Sequence, residues 1–185
     1  MLFFSTYSTI IILNDLLLFK LLERSEQQQV FVSFQICILQ EVFLMVQLIV
    51  GQKGKGKTKI ILDMVNKEIA TASGNIVYLD KGNDHMYELN NKVRLINVKD
   101  YGVANADEFI GFIRGIVSQD HDLEHIYLDG FLKISCLEGT QERAEEILTK
   151  LDRISDAYNF KIIASISIDE ADLPESLKSK VVVSL

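Results

Sequence analysis

The chain has 185 residues, which is enough for one domain with a substantial hydrophobic core. Its formal net charge is −7 and its basic residues form no stripe, so nucleic acid is not evident as a partner. The two cysteines, Cys37 and Cys136, are far apart in the sequence, which fits a reducing compartment and argues against both a disulfide framework and a zinc site.

Residues 1–44 differ in composition from the rest of the chain. They are rich in Leu, Ile and Phe, and all ten glycines of the chain lie after them. A signal peptide is disfavoured because the segment has no basic N-terminal region and no small-residue cleavage site. A membrane span is disfavoured because polar residues interrupt the apolar run from Ile10 to Leu22, whereas a span needs about 20 apolar residues.

We therefore interpret residues 1–44 as a leader translated from a misassigned start codon, disordered or loosely helical, and residues 45–185 as the working domain. Gln40-Glu41-Val42 can be encoded by bases that contain AGGAGGT, a bacterial ribosome-binding sequence, a short distance before Met45. Mass mapping of the native protein tests this hypothesis, because tryptic peptides from residues 25–44 would exclude it. Membrane association is expected only if the segment is genuine.

The predicted elements after Met45 begin with a strand, a glycine-rich loop and a helix. The strand covers Val46–Val50, and the helix covers about residues 57–72, with Gly74 at its C-terminus. The loop matches the pattern G-x-x-x-x-G-K-[ST], which binds phosphate when it lies between a strand and a helix. The candidate binding residues are Gly51, Gln52, Lys53, Gly54, Lys55, Gly56, Lys57 and Thr58.

The residue types in this loop suit the phosphates of a nucleotide. Glycine has no Cβ, so the backbone can turn successive N–H groups toward one anion, and the following helix adds unpaired N–H groups and the positive end of its dipole. Lys57 is expected to reach the β- and γ-phosphates as a catalytic residue, and the Thr58 hydroxyl to bind Mg²⁺. Lys53 and Lys55 either steer a polyanion toward the loop or are solvated loop lysines.

The later elements alternate between strands and helices. The predicted strands cover Asn75–Asp80, 93–98, 125–129, 160–166 and 181–183, and the predicted helices cover about 107–117, 141–158 (with Thr140 as its N-cap) and 174–180. Strands rich in Val, Ile and Leu between amphipathic helices predict an α/β fold, a P-loop NTPase three-layer sandwich with a mostly parallel sheet. We favour the RecA-like strand order, with the ligand at the carboxyl ends of the strands.

A magnesium nucleotide also needs a carboxylate near the loop. Asp129, at the end of the fourth predicted strand, is the candidate metal ligand beside Thr58; otherwise it caps the turn at Gly130. Many P-loop ATPases carry a water-polarising glutamate where this chain has Gly130, so either hydrolysis is slow or another acid acts. Asp80 is the first candidate, because in RecA-like ATPases this acid comes from the strand after the P-loop helix. Three further candidates are Asp84, Asp169 and Glu170.

Other polar residues give weaker signals. Ser165 and Ser167 end the fifth predicted strand, where they either sense the γ-phosphate or are simply small strand residues, the interpretation that we favour. Residues 149–152 match the guanine-specific pattern [NT]-K-x-D, but they fall within a predicted helix, so ATP is the default nucleotide. The histidines show no metal-ligand spacing beyond the pair His121 and His125. No arginine is placed to act as an arginine finger, so a partner subunit or protein would supply one.

Four segments carry a resemblance to a known family: Met45 to Lys59, Tyr78-Leu-Asp-Lys-Gly, Tyr127-Leu-Asp-Gly and Asp169-Glu-Ala-Asp-Leu-Pro-Glu. Together they resemble small stand-alone P-loop NTPases of Gram-positive anaerobes, which often carry an ATP-binding or a twitching-motility ATPase label. The resemblance covers residues 45–185 and implies nucleotide binding in the cytoplasm, without implying a biological role.

The favoured function is an Mg-ATP-binding protein that works as a slow or partner-activated ATPase or as an ATP switch, with ATP and Mg²⁺ as cofactors. The expected partners are the nucleotide and an unknown protein or a second copy of the chain. A small-molecule kinase is one alternative, although residues 81–91 are too short and too acidic for an obvious lid. A non-enzymatic nucleotide-binding interaction module is the other.

Overall fold

The computed structural model describes residues 45–140 and 143–185 of the chain. The interpretation of residues 1–44 as a leader lies outside the described residues, as does the beginning of the helix predicted from Gln141. Within the described residues, no helix is both long enough and apolar enough to cross a membrane.

A sheet of six parallel strands forms the centre of the described part. The strands are β1 (Val46–Val50), β2 (Asn75–Asp80), β3 (Arg94–Asn97), β4 (Leu123–Leu128), β5 (Lys161–Ile166) and β6 (Val181–Ser184). Their order in the sheet is β3-β2-β4-β5-β1-β6, and every neighbouring pair is parallel. β5 therefore separates β1, the strand before the glycine loop, from β4, the strand before Asp129.

Helices cover both faces of this sheet. They are α1 (Lys57–Glu68), α2 (Ala106–Gln119), α3 (Phe131–Ile134), α4 (Ala144–Tyr158) and α5 (Glu175–Lys178). The apolar side of α1, including Ile61 and Val65, packs with Ile49 and Tyr78 on one face. The apolar sides of α2 and α4 pack on the other face in a second buried cluster. The predicted α/β sandwich of three layers is confirmed, since helices pack against both faces of the parallel sheet.

The strand register brings the carboxyl ends of the central strands to one edge of the sheet. Val50 pairs with Ile166, and Leu128 pairs with both Ala164 and Leu79. The residues that follow or end these strands, in β1, β2, β4 and β5, are therefore neighbours in space although they are distant in sequence. This edge holds the candidate site.

The first helix ends at Glu68, so the prediction that it continues to Ala72 is wrong. The last turn tightens because the N–H of Thr71 bonds to the carbonyl of Glu68 at 3.0 Å, and the Thr71 hydroxyl competes for the same carbonyl at 3.2 Å. Gly74 does not cap the helix. A Cβ at Gly74 would lie 2.1 Å from the carbonyl oxygen of Asp122, so glycine is needed there for close packing of two chain segments.

The start of α4 also differs from the prediction. The residue before α4 is Arg143, and no side chain caps this helix among the described residues, so Thr140 is not its N-cap. The Thr140 hydroxyl instead donates to the carbonyl of Leu137 at 3.4 Å. The short helix α3 was not predicted, because four residues are too few to show a helical period; it follows Gly130, whose φ of +65° turns the chain after β4.

Candidate functional site

One cavity of about 540 Å³ lies at the carboxyl edge of the sheet, beside the glycine loop. The glycine loop and the first turn of α1 form one side of it, and the ends of β2, β4 and β5 form another. Its lining includes Lys53, Gly54, Gly56, Lys57, Thr58, Asp80, Asp129, Ser165 and Ser167. Most of the residues predicted for phosphate, metal and water are thus brought together by the fold. Gln52 and Lys55 are exposed and do not line this cavity.

The glycines of the loop adopt backbone conformations that disfavour other residues. The φ angles are +136° at Gly51 and +89° at both Gly54 and Gly56. A Cβ at Gly54 or Gly56 would meet nothing within 4 Å, so these two positions favour glycine for conformation alone. A Cβ at Gly51 would in addition lie 2.7 Å from the carbonyl oxygen of Leu185. Gly51 therefore needs glycine for both conformation and space.

The N-terminus of α1 is open to an anion. Among the described residues, no side chain caps this helix and no acidic residue lies in its first turn. In contrast, α2 carries two acidic residues in its first turn, and its N-cap Asn105 accepts a bond from the N–H of Glu108 at 2.9 Å. The N–H groups at the start of α1 and the positive end of its dipole therefore face the cavity with no capping side chain and no acidic residue in that turn.

Lys57 is buried beneath the glycine loop, with a relative exposure of 8%. Its ammonium donates to the carbonyl oxygens of Gly51 at 2.6 Å and Gln52 at 2.7 Å. Burial lowers the pKa of Lys57, while the charges of Asp129 and Asp169 partly oppose that effect. An ammonium has three N–H donors, so two bonds to the loop leave one for an oxygen of a ligand in the cavity.

Asp129 follows β4 and is 7% exposed. Its backbone N–H donates to the carbonyl of Leu79 at 3.0 Å, which fixes the residue beside the end of β2. Its Oδ1 accepts a 2.6 Å bond from the hydroxyl of Ser165, and the same hydroxyl accepts a 2.8 Å bond from the N–H of Gly130. Ser165 thus orients the carboxylate, a role that differs from both uses considered for it from the sequence.

Asp80 ends β2 and is 4% exposed. One carboxylate oxygen accepts a 2.6 Å bond from the backbone N–H of Lys81, and the other lies 4.0 Å from Nε2 of His85. Burial raises the pKa of Asp80, the charge of Asp129 raises it further, and the bond from Lys81 opposes the change. Asp80 is the buried member of the four carboxylates considered as the catalytic acid.

The other candidate acids lie in less favourable positions. Asp84 lines the cavity but is exposed. Asp169 accepts a 2.6 Å bond from the side chain of Gln52 at the surface. Glu170 begins a short 3-10 helix and does not line the cavity. Residues 149–152, which match a guanine-specific pattern, lie within α4 as predicted.

The charged or polar residues of the cavity that were missed from the sequence include Lys81, His85, Lys133 and Glu138. Lys81 directly follows the candidate acid Asp80, and this adjacency was a usable signal. Lys133 lies in α3, the helix that was not predicted, and His85 lies in a segment without a regular period. The positive charge of Lys81 lowers the pKa of Lys133, so two ammonium groups are held near each other at the rim of the cavity.

No protein-family model matches the chain, and no curated protein matches it. The resemblance to small stand-alone P-loop proteins therefore stays a prediction.

Proposed function

We propose that the chain binds Mg-ATP and works as a slow or partner-activated ATPase or as an ATP switch. The observation that carries this proposal is the single cavity that Lys57, Thr58, Asp80 and Asp129 share. These residues come from the glycine loop and from the ends of two other strands, and the fold brings them to one edge of the sheet. A glycine-rich turn with chance spacing would not by itself bring buried acids to the loop.

The phosphate chain would bind along the glycine loop. Loop N–H groups, the uncapped N-terminus of α1 and the remaining donor of Lys57 all favour negative charge. Lys53, Lys81 and Lys133 at the rim add positive charge, which draws a polyanion toward the cavity. A polyphosphate therefore fits this side of the cavity better than a neutral ligand of the same size does.

The donors for magnesium come from the first turn of α1 and from the end of β4. The residues that would hold the ion are Thr58, through its hydroxyl, and Asp129, through its carboxylate. The fit is favourable because Ser165 bonds to Oδ1 of Asp129 and leaves the second carboxylate oxygen for an ion or its water. The ion would neutralise charge on the phosphates.

In hydrolysis, the Asp80 carboxylate would orient the attacking water and act as its general base. Attack of water on the terminal phosphorus breaks the bond to the bridging oxygen, and the water proton passes to the Asp80 carboxylate. We expect slow turnover because Gly130 stands where many P-loop ATPases carry a glutamate. None of the residues that line the described cavity is an arginine, so a second copy or another cytoplasmic protein would complete the site.

The test is Mg²⁺-dependent binding and hydrolysis of ATP by the full chain, compared with Lys57→Ala and Lys59→Ala. Lys59 is the matched control, since it lies on the same helix, is exposed and does not line the cavity. Loss of a charge-assisted bond to phosphate predicts roughly 10- to 100-fold weaker binding for Lys57→Ala and unchanged binding for Lys59→Ala.

Each outcome distinguishes the candidate functions. Turnover that Lys57→Ala abolishes supports the ATPase, and tight binding without turnover supports the switch or a non-enzymatic module. Transfer of phosphate to an added small-molecule acceptor would instead favour a kinase. Absence of ATP binding by the folded parent, or equal loss in both lysine variants, would refute the proposal.

A further inference from the structure

Three potential metal ligands meet at the strand-end side of the cavity. Ligand atoms of Asp80, His85 and Asp129 all lie within 4.8 Å of one another. Both aspartates are buried, and Nε2 of His85 lies 4.0 Å from Oδ2 of Asp80. Two carboxylates and an imidazole at this spacing are a donor set that a divalent ion can span. We refer to these three residues as the acid–histidine cluster.

The histidine of the cluster is oriented by a fourth residue. Nδ1 of His85 lies 2.8 Å from Oε1 of Glu88. We assign the proton to Nδ1, because a carboxylate can only accept, and this assignment leaves the lone pair of Nε2 directed toward the two aspartates. A histidine that binds a metal usually donates its other ring N–H to a carboxylate in this way. Glu88 thus fixes the ring for ligation.

A buried hydroxyl beside the cluster provides a second, independent observation. The side chain of Tyr78 is fully buried, and no described group meets hydrogen-bond geometry with its Oη. Burial raises the pKa of Tyr78, and the charges of Asp129 and Asp80 raise it further, as does a long hydrogen-bond approach to Asp129 that falls short of a normal bond, so the hydroxyl lies close to both carboxylates. Buried hydroxyl groups normally have a partner, and water held by a metal ion in the cluster would supply one.

We propose that the acid–histidine cluster of Asp80, His85 and Asp129 binds a divalent transition-metal ion, at a site that overlaps the proposed magnesium site through Asp129. Imidazole suits Zn²⁺, Fe²⁺ or Ni²⁺, for which Co²⁺ is a visible probe, whereas Mg²⁺ prefers oxygen donors and keeps its waters. Asp129 also belongs to the proposed magnesium ligands, so the cluster would link metal content to nucleotide binding. The inference does not depend on the proposed function, because the cluster is complete without ATP.

The test is a titration of the untagged, nucleotide-free full chain with Co²⁺, followed by visible absorption and by calorimetry. The variants are His85→Asn, Glu88→Gln and the control His121→Asn, whose residue is exposed and lies outside the cluster. The parent and His121→Asn are expected to bind one Co²⁺ with equal affinity. Glu88→Gln removes the partner that orients the ring and is expected to weaken the affinity for Co²⁺ roughly 10- to 100-fold. His85→Asn removes the ring ligand itself and is expected to weaken that affinity further.

Two results would overturn this inference. One is a folded parent, judged by circular dichroism, that gives no cobalt absorption band. The other is a His85→Asn variant that binds Co²⁺ as tightly as the parent does. Displacement of Co²⁺ by an equal concentration of Mg²⁺ would also count against it. ATP binding is measured separately, so failure here leaves the Mg-ATP proposal standing, and the reverse holds as well.

Discussion

Replacing Ser165 by alanine tests how the candidate site is held together. The Ser165 hydroxyl is buried, donates a 2.6 Å bond to Asp129 and accepts a 2.8 Å bond from the N–H of Gly130. Alanine removes both bonds and leaves a buried carboxylate oxygen and a backbone N–H without this partner. A hydrogen bond to a charged group contributes about 1.5–3 kcal/mol and a neutral one about 0.5–1.5 kcal/mol. The contributions of the two bonds do not add in full, so we expect the free energy of unfolding to fall by about 2–4 kcal/mol.

Urea unfolding of the full chain, followed by circular dichroism, measures this loss. The matched control is Ser167→Ala, two residues further along, where the side chain is exposed and lines the same cavity. The control is expected to change stability by no more than about 0.5 kcal/mol. A Ser165→Ala variant as stable as Ser167→Ala would refute the role assigned to this hydroxyl. If Asp129 holds magnesium, Ser165→Ala also weakens Mg-ATP binding by roughly tenfold or more, since the carboxylate loses its orientation.

Three further changes test the loop, the core and the pH response. Gly51→Ala is expected to destabilise the fold by more than about 1 kcal/mol and by more than Gly54→Ala, because both positions have positive φ but only Gly51 would also place a Cβ 2.7 Å from the carbonyl of Leu185. Phe109 is fully buried in α2, and Phe109→Ala is expected to lower the free energy of unfolding in urea by about 3–5 kcal/mol. Burial lowers the pKa of His125 from 6.5, so its neutral form stabilises the fold above pH 6.5 and this contribution falls as the pH drops through the folded pKa. His125→Gln should therefore lose less stability than the parent between pH 7 and pH 5.

Each of these expectations has an outcome that contradicts it. Equal stabilities of the Gly51→Ala and Gly54→Ala variants would mean that the contact with Leu185 is not limiting. A loss of less than about 2 kcal/mol for Phe109→Ala would mean that the core relaxes around the cavity. Parallel curves of stability against pH for the parent and His125→Gln would show that His125 does not carry the acid sensitivity, and His121→Gln is the exposed control for that comparison.

The sequence predicted the elements of the fold better than it predicted the site, for physical reasons. Parallel strands buried on both faces appear as runs of Val, Ile and Leu, and the glycine loop is contiguous, so both are visible locally. The order of the strands depends on pairings between distant segments, and local patterns did not give the position of β5 between β1 and β4. Helix ends were missed where side chains compete with the backbone, as Thr71 does after α1.

Two residues of the site have roles that the sequence did not show, because those roles depend on contacts across the fold. Ser165 reaches Asp129 only because β4 and β5 are neighbours in register. His85 lies in a segment without helical or strand period, and its ring points toward the two aspartates because Glu88 holds it. The pair of His85 and Glu88 is local, but the contacts of Ser165 and His85 with the aspartates join distant segments and do not follow from spacing in the sequence.

Side chains of like charge lie close together at two places around the cavity. At the rim, the ammonium of Lys81 lowers the pKa of Lys133, and at the strand ends the charge of Asp129 adds to burial in raising the pKa of Asp80. Such like-charge pairs persist only where the fold holds them or a ligand relieves them. A phosphate chain would relieve the lysines, and a cation would relieve the aspartates. A ligand that carries both, such as a metal nucleotide, matches this separation better than an anion or a cation alone does.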